Sequence, residues 1–339
     1  MTEQAQTGAE TAAVPAAPGE ARTKAGRNFG SQAWYFLRRW PVIPLIIMAV
    51  LLVAGIFPGV LAPEDPIRQF PHFRTHPPTW GAVDEHSSIP EPQREDFENS
   101  GDYSRAIREY HPRFNYILGG DNLGRDVLSR VVAGARISLQ VAVIALVSGV
   151  LIGTTMGILG GYFGGWTDEV LMRFVDMWNA LPFILIALVV SVTFGATTGV
   201  VMLLLAMLAW TPFVRQVRAD ALGIRSRDYV LAAKIAGATN IRIMLRHLLP
   251  GTFSTVLVVA SLRVGTLILA ESILSFLGVG IPDPIPAWGK SVSEGRNFLR
   301  EAWWISFFPG FAIFLVVLSL NFFGDWLRDR LDPRLRQLD

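Results

Sequence analysis

Six long apolar stretches, separated by polar and charged segments, set the pattern of this chain: residues 41–61, 137–159, 174–194, 197–214, 255–277 and 303–323. A hydrocarbon core of about 30 Å takes roughly 20 apolar residues in helical form. Lipid offers no hydrogen-bond partners to an open backbone, so each stretch is predicted as a membrane-spanning α-helix. One such run could be a buried helix of a soluble protein, but six in one chain argue for a membrane protein. Pro182 is expected to kink the third span near its start. The turn segment "GATTG" separates the third span from the fourth.

Lys and Arg in short loops orient such a bundle. Arg22, Lys24, Arg27, Arg38 and Arg39 precede the first span and place the N-terminus inside. Six spans return the C-terminus to the same side, where Arg328, Arg330, Arg334 and Arg336 follow the last span. The loop between spans four and five is inside as well, with Arg215, Arg218, Arg225, Arg227, Lys234, Arg242 and Arg246 against Asp220 and Asp228. The organisation expected is an inner tail over 1–40, a first span over 41–61, an outer loop over 62–136, a core over 137–323 with an inner loop at 215–250, and an inner tail over 324–339. The first thirty residues lack apolar periodicity and are rich in Ala, Gly, Thr, Glu and Pro, so they are expected to stay disordered. The outer loop is Pro-rich at first, and "REDFENSGDYSRAIREY" is expected to contain a short polar helix.

Composition sharpens this reading. Of 339 residues, 51% are hydrophobic and only 17% charged, at a mean hydropathy of +0.38. Soluble domains carry about a quarter charged residues. Cysteine is absent, which excludes disulfides, thiolate zinc sites and iron–sulfur clusters. A net charge of +2 gives no support to nucleic-acid binding.

The inner loop holds the most informative local pattern. "DYVLAAKIAG" combines good helix formers with small residues, and Gly237 is placed to break or cap that helix. "NIRIMLRHLL" follows, with Ile241, Met244, Leu245 and Leu248 at helical spacing, Asn240 as a candidate N-cap and Pro250 as its end. A helix–turn–helix is predicted. Its small residues Ala232, Ala233, Ala236 and Gly237 leave a nearly flat patch that a partner's backbone could approach.

Other chemistry-bearing residues are fewer. "WGKS" at 288–291 is no phosphate loop, because that motif needs Gly six residues before its Lys and position 284 is Pro. His72, His76, His86 and His111 lie in the outer loop at spacings that match no recognised zinc or nickel pattern, so no metal site is expected. Arg263 and Glu271 are the only charged residues within the fifth span, and each costs about 2.5–3.5 kcal/mol at mid-bilayer on insertion scales. Eight residues apart, they are separated by roughly 12 Å along the helix, too far for a direct bond. Each is expected to line a pathway or to make a contact at a subunit interface. Asp121, Gly124, Arg125 and Asp126 form an outer-edge motif, either a capped turn that docks the segment or a site for substrate charge.

The inner loop resembles the EAA loop of ABC importer permeases: Glu-Ala-Ala, three residues, Gly, nine residues, then apolar-x-Leu-Pro. Ala232-Ala233, Gly237 and His247-Leu248-Leu249-Pro250 match it, while Leu231 stands where the motif has Glu. Asp228-Tyr229 resembles the acidic-Tyr-Val opening of the dipeptide/oligopeptide/nickel branch. "GGDNLGRDVLSRVVAGARISL", "ESILSFLGVGIPDPIPAWGK" and "FFGDWLRDRLDPRLR" are similar to segments of the same branch, so the resemblance covers about two thirds of the chain. The outer insertion around 79–116 has no counterpart in it. The resemblance implies an all-α type I importer permease fold with six spans, a heterodimer with a second permease subunit, two inner ATPase subunits and an outer binding protein. It implies that the chain itself hydrolyses nothing and needs no cofactor. It places Asp228, Tyr229, Ala232, Ala233, Gly237, Ala238, His247 and Pro250 at the ATPase contact. The cargo it implies is short peptides first, with nickel or another small solute as the alternative. A stand-alone transporter or channel is disfavoured, because no internal repeat is visible.

Overall fold

The computed structural model describes residues 41–80, 94, 99–109 and 116–331. The expectations for the tail at 1–40, for residues 332–339 and for most of the insertion lie outside the described residues. Those residues form helices and connecting turns, with one isolated antiparallel bridge, Gly120–Asp126.

All six predicted apolar stretches are helical. Four helices are long and apolar enough to cross a membrane: α4 (Val127–Phe163), α7 (Thr198–Arg225), α10 (Leu249–Phe276, continuous with residues from Asn240) and α12 (Trp304–Leu331). The predicted third span is a pair, α5 (Gly165–Ala180) and α6 (Phe183–Phe194), bent by 75° at Leu181-Pro182. The kink expected at Pro182 is there, because its ring cannot follow a helical residue without clash and has no N–H to donate. The predicted first span is shorter than expected: α1 (Val42–Ile56) stops before Phe57, and Pro58 opens a separate turn, α2 (Pro58–Leu61). The polar helix expected in the outer loop is α3 (Ser100–Glu109).

The centre of the bundle is the α4–α7 pair. Gly149, Gly153, Gly157 and Gly161 repeat every four residues and so share one face of α4. They meet Ala209, Phe213, Val217 and Ala221, which repeat at the same spacing on α7. A Cβ at Gly149 would lie 2.7 Å from that of Ala209, and one at Gly161 would lie 2.5 Å from that of Ala221. In lipid, close backbone approach across small residues replaces the hydrophobic effect as the force between helices. Phe213, Val217 and Ala221 are fully buried by this contact. Gly265 of α10 and Gly324 of α12 bring that second pair together in the same way, against Leu320 and Leu262.

Two boundaries differ from the hydropathy reading. Residues 215–225 belong to α7 and 249–250 to α10, so the expected 215–250 loop shrinks to its centre. α12 likewise runs to Leu331, eight residues into the expected tail over 324–339. Hydropathy marks only the lipid-facing length of a helix, whereas backbone hydrogen bonding continues into polar surroundings.

Candidate functional site

The shortened loop joins α7 to α10. α8 (Asp228–Ile235) opens with Asp228, whose charge suits the positive end of a helix. It closes in a Schellman motif: the Gly237 amide donates to the Lys234 carbonyl (3.1 Å) and the Ala238 amide to the Ala233 carbonyl (3.0 Å). Gly237 sits at φ +80°, the left-handed conformation expected of it. A Cβ there would meet nothing within 4 Å, so its constraint within the chain is backbone alone.

After Gly237 the structure departs from expectation twice. Thr239, not Asn240, caps α9 (Asn240–Ile243), its Oγ1 accepting from the Arg242 amide at 3.4 Å. Asn240 instead accepts a 2.7 Å hydrogen bond from the Tyr162 hydroxyl at the end of α4. Pro250 does not end the helix. A π-helical turn, Met244–Leu248, leads straight into α10, so Pro250 lies within a continuous helix and the widened turn accommodates its ring and missing N–H. The wider turn also shifts the face that follows it. Ile243 and Leu248 are buried, while Ile241 and Leu245, predicted to share a face with Met244 and Leu248, point outward.

The loop therefore has two sides. Val230, Ile243 and Leu248 seat it in a core with Ile158, Phe213, Val217, Ala221 and Ile224. The other side is open and apolar: Ile235 is 87% exposed, Ile241 66%, Leu245 61% and Leu231 47%. Ala232 and Gly237 are exposed beside them, while Ala233 and Ala238 are half-buried. Tyr229, itself exposed, tilts against His247 with ring centroids 5.9 Å apart. Exposed Pro250 marks the base of α10. Arg227, Lys234, Arg242 and Arg246 are exposed on the same loop and give this apolar side a basic surround. Sequence patterning found the loop but not Ile235 or Leu245 as its outward anchors, because periodicity alone does not say which side of a short helix is covered.

A groove of about 640 Å³ opens beside the loop between α7, α10 and the end of α12, with Gln216, Asp220, Arg227, Ser254, Thr255 and Arg328 among its walls. Arg263 lies further along α10, half-buried, and makes no hydrogen bond or ion pair among the described residues. Glu271 is fully buried. Its carboxylate accepts from the Ser275 hydroxyl at 2.6 Å and the Ser272 hydroxyl at 3.5 Å, both on its own helix. Ser275 Oγ in turn accepts from the Ile281 amide at 3.1 Å, so Glu271 braces the loop that leaves α10.

The outer-edge motif folds at the opposite end of α4. Asp121 Oδ2 takes the Arg125 guanidinium at 2.5 Å, Arg125 reaches Glu294 Oε2 at 2.7 Å, and Arg130 approaches the same two carboxylates at 3.6 and 3.4 Å. Asp121, Arg125 and Arg130 are buried, and Glu294 comes from α11 (Trp288–Gly295). Asp126 caps α4, accepting from the Ser129 amide at 2.8 Å and the Ser129 hydroxyl at 2.5 Å. Burial pushes its carboxyl above the ordinary range, against the pull of those bonds. The Tyr116 hydroxyl donates to the Gly124 carbonyl at 2.6 Å, and burial, with Asp126 nearby, drives its phenol far above the usual range. Gly124 at φ +75° is obligatory, because a side chain would run into the Phe70 carbonyl. The four motif residues form a docked, capped turn. Glu294 was not foreseen as its partner, since a contact 169 residues away leaves no local trace; Arg130, from the first turns of α4, was not foreseen either. "WGKS" begins α11, where the Trp288 indole donates to the Val131 carbonyl at 2.8 Å. His86 and His111 lie outside the described residues, and His76 packs against Phe73 and Tyr116.

Residues 149–337, more than half of the chain, match the family model described as binding-protein-dependent transport system inner membrane component. A glutathione transport system permease protein of Pectobacterium atrosepticum is 40% identical over 71% of this chain and 79% of its own length. A dipeptide transport system permease protein of Alkalihalophilus pseudofirmus is 40% identical over 66% of this chain and 74% of its own. A solved structure described as an amino acid ABC transporter with histidines aligns with a TM-score of 0.46 at 15% identity, over 59% of this chain and 94% of that one. The chain belongs to the family of inner-membrane permease components of binding-protein-dependent ABC importers.

Proposed function

We propose that this chain forms half of the pathway of an ATP-driven importer for short peptides, paired with a second permease subunit and driven by two ATPases bound at the 226–248 loop. The observation that carries this reading is the open face of that loop. Ile235, Ile241 and Leu245 are exposed on a rigid helix–turn–helix that is continuous in backbone with α10, in a chain of this permease family. Such a surface is finished by a partner, and a partner that moves there pulls directly on a membrane helix. Peptide cargo rests on the two relatives whose names specify glutathione and dipeptide transport. ATP hydrolysis is assigned to the partner subunits, cargo delivery to an outer binding protein, and both chain termini to the inner side, from the Lys and Arg distribution. Asp228, Tyr229, Ala232, Ala233, Gly237, Ala238, His247 and Pro250 are proposed as the ATPase-facing group. Arg263 is proposed as a pathway or subunit-interface contact because it is the cation within α10 and has no hydrogen bond or ion pair among the described residues. Glu271 serves the same helix from within.

The test is uptake of labelled di- and tripeptides in a strain lacking the gene, with ATPase co-purification scored in parallel. Restored peptide uptake supports the reading. Lost nickel uptake with unchanged peptide uptake would reassign the cargo, and transport by the purified chain alone on an ion gradient would overturn the class.

A further inference from the structure

Resting on that assignment, we infer that Tyr162 and Asn240 are positioning residues that carry movement of the 226–248 loop into α4, a second line of transmission beside the backbone continuity into α10.

Among the described residues, the Tyr162 hydroxyl to Asn240 Oδ1 bond (2.7 Å) is the one side-chain hydrogen bond that joins this loop to α4. The loop's other side-chain bonds are local: Ser226 to the Gly223 carbonyl, and Thr239 from the Arg242 amide. Asn240 is freed for the crossing bond because Thr239 has taken over the N-cap. Its position in the first turn of α9 fixes it to the helix that continues through the π turn into α10.

Tyr162 is equally well held. Its ring packs against the core that seats the loop. Its carbonyl accepts from Arg225 Nη1 at 3.0 Å, which places a cation on the last turn of α4, where the helix dipole favours one. The guanidinium fills the corner at Gly164, φ +66°, where the chain turns into α5. α5 is then tied to α7 by the bidentate Arg218–Asp168 pair and by Arg215–Asp176 at 2.6 Å. Displacement of Asn240 therefore reaches the end of α4 and the α4–α5 corner through a single polar contact. Apolar seating resists compression but not sliding, whereas a directional hydrogen bond resists both.

Tyr162→Phe removes one oxygen, and Asn240→Ala removes the acceptor. Asn240→Asp keeps it. The reconstituted complex is assayed with binding protein and dipeptide for three quantities: ATPase co-purification, ATP turnover, and peptide moved per ATP. Expected are unchanged co-purification and a fall in peptide per ATP of about two- to tenfold for Tyr162→Phe and Asn240→Ala, the span one neutral hydrogen bond supplies. Asn240→Asp should stay near the wild type, and the Phe/Ala double variant should be no worse than either single one. Co-purification falling in step with uptake would make these residues part of the docking surface and overturn the inference. Additive losses, normal peptide per ATP, or loss of Tyr162→Phe from the membrane would overturn it too. A wild-type complex that does not copurify with any ATPase would instead sink the functional assignment.

Discussion

The two ends of α4 are built on opposite terms. At its start, Asp121, Arg125 and Arg130 are buried with Glu294 against them, so every charge has a partner within the chain. Near its other end the 226–248 loop leaves Ile235, Ile241 and Leu245 in the open. Charges are inside where apolar residues are expected, and apolar residues are outside where charges are expected. The difference teaches that the first end satisfies its charges within the single chain, whereas the second exposes the apolar face to which the proposed function assigns a partner. A buried ion network needs all its members in place, because removing one strands the rest in a low dielectric. An exposed apolar face does not threaten the fold, but it is idle until another protein covers it.

The sharpest way to break this comparison is Arg125→Leu. It leaves Asp121 and Glu294 with Arg130 alone, at its longer distances, and breaking such a buried pair costs about 3–5 kcal/mol. Membrane level and thermal stability in detergent should fall while the loop end is untouched. A protein of normal stability would mean that the network is ornamental. Next in size is Gly237→Val. A β-branched residue at φ +80° is strained, and although a side chain there meets nothing within the chain, added volume at the proposed ATPase contact would cost roughly 1–3 kcal/mol. ATPase association should therefore fall by up to about a hundredfold at unchanged membrane level. Equal losses in both readouts would erase the distinction between the two ends. Ile235→Asp replaces the most exposed apolar anchor by a charge. It forfeits about 1.5–3 kcal/mol of burial in a complex and nothing in the free chain, so affinity for the ATPase should drop at least about tenfold with no change in thermal stability. Unaltered affinity would move the contact to another face of the loop. The smallest effect should come from Asp126→Ala, which removes the α4 cap at about 0.5–2 kcal/mol, while Asp126→Asn keeps an acceptor and most of the stability. Stability measurements on that pair would separate capping from charge.

Hydropathy and local motif spacing determined the six apolar segments, the kink at Pro182, the left-handed Gly237 and the helix–turn–helix of the loop. Each of these depends on neighbours in the chain: bilayer length on a run of apolar residues, a kink on a ring without N–H, a Schellman turn on a residue without Cβ. The break at Pro58 was equally written there, but a run of apolar residues masked it. Tertiary structure alone decided the rest. It made Thr239 the cap and turned Asn240 to the Tyr162 hydroxyl, 78 residues away. It carried the helix past Pro250 by widening one turn, which moved Leu245 outward and Leu248 inward. It brought Glu294 to Arg125, buried Glu271 against its own serines and left Arg263 without a partner among the described residues. A side chain's environment is set by whichever distant surface arrives beside it, and local pattern carries no record of that arrival.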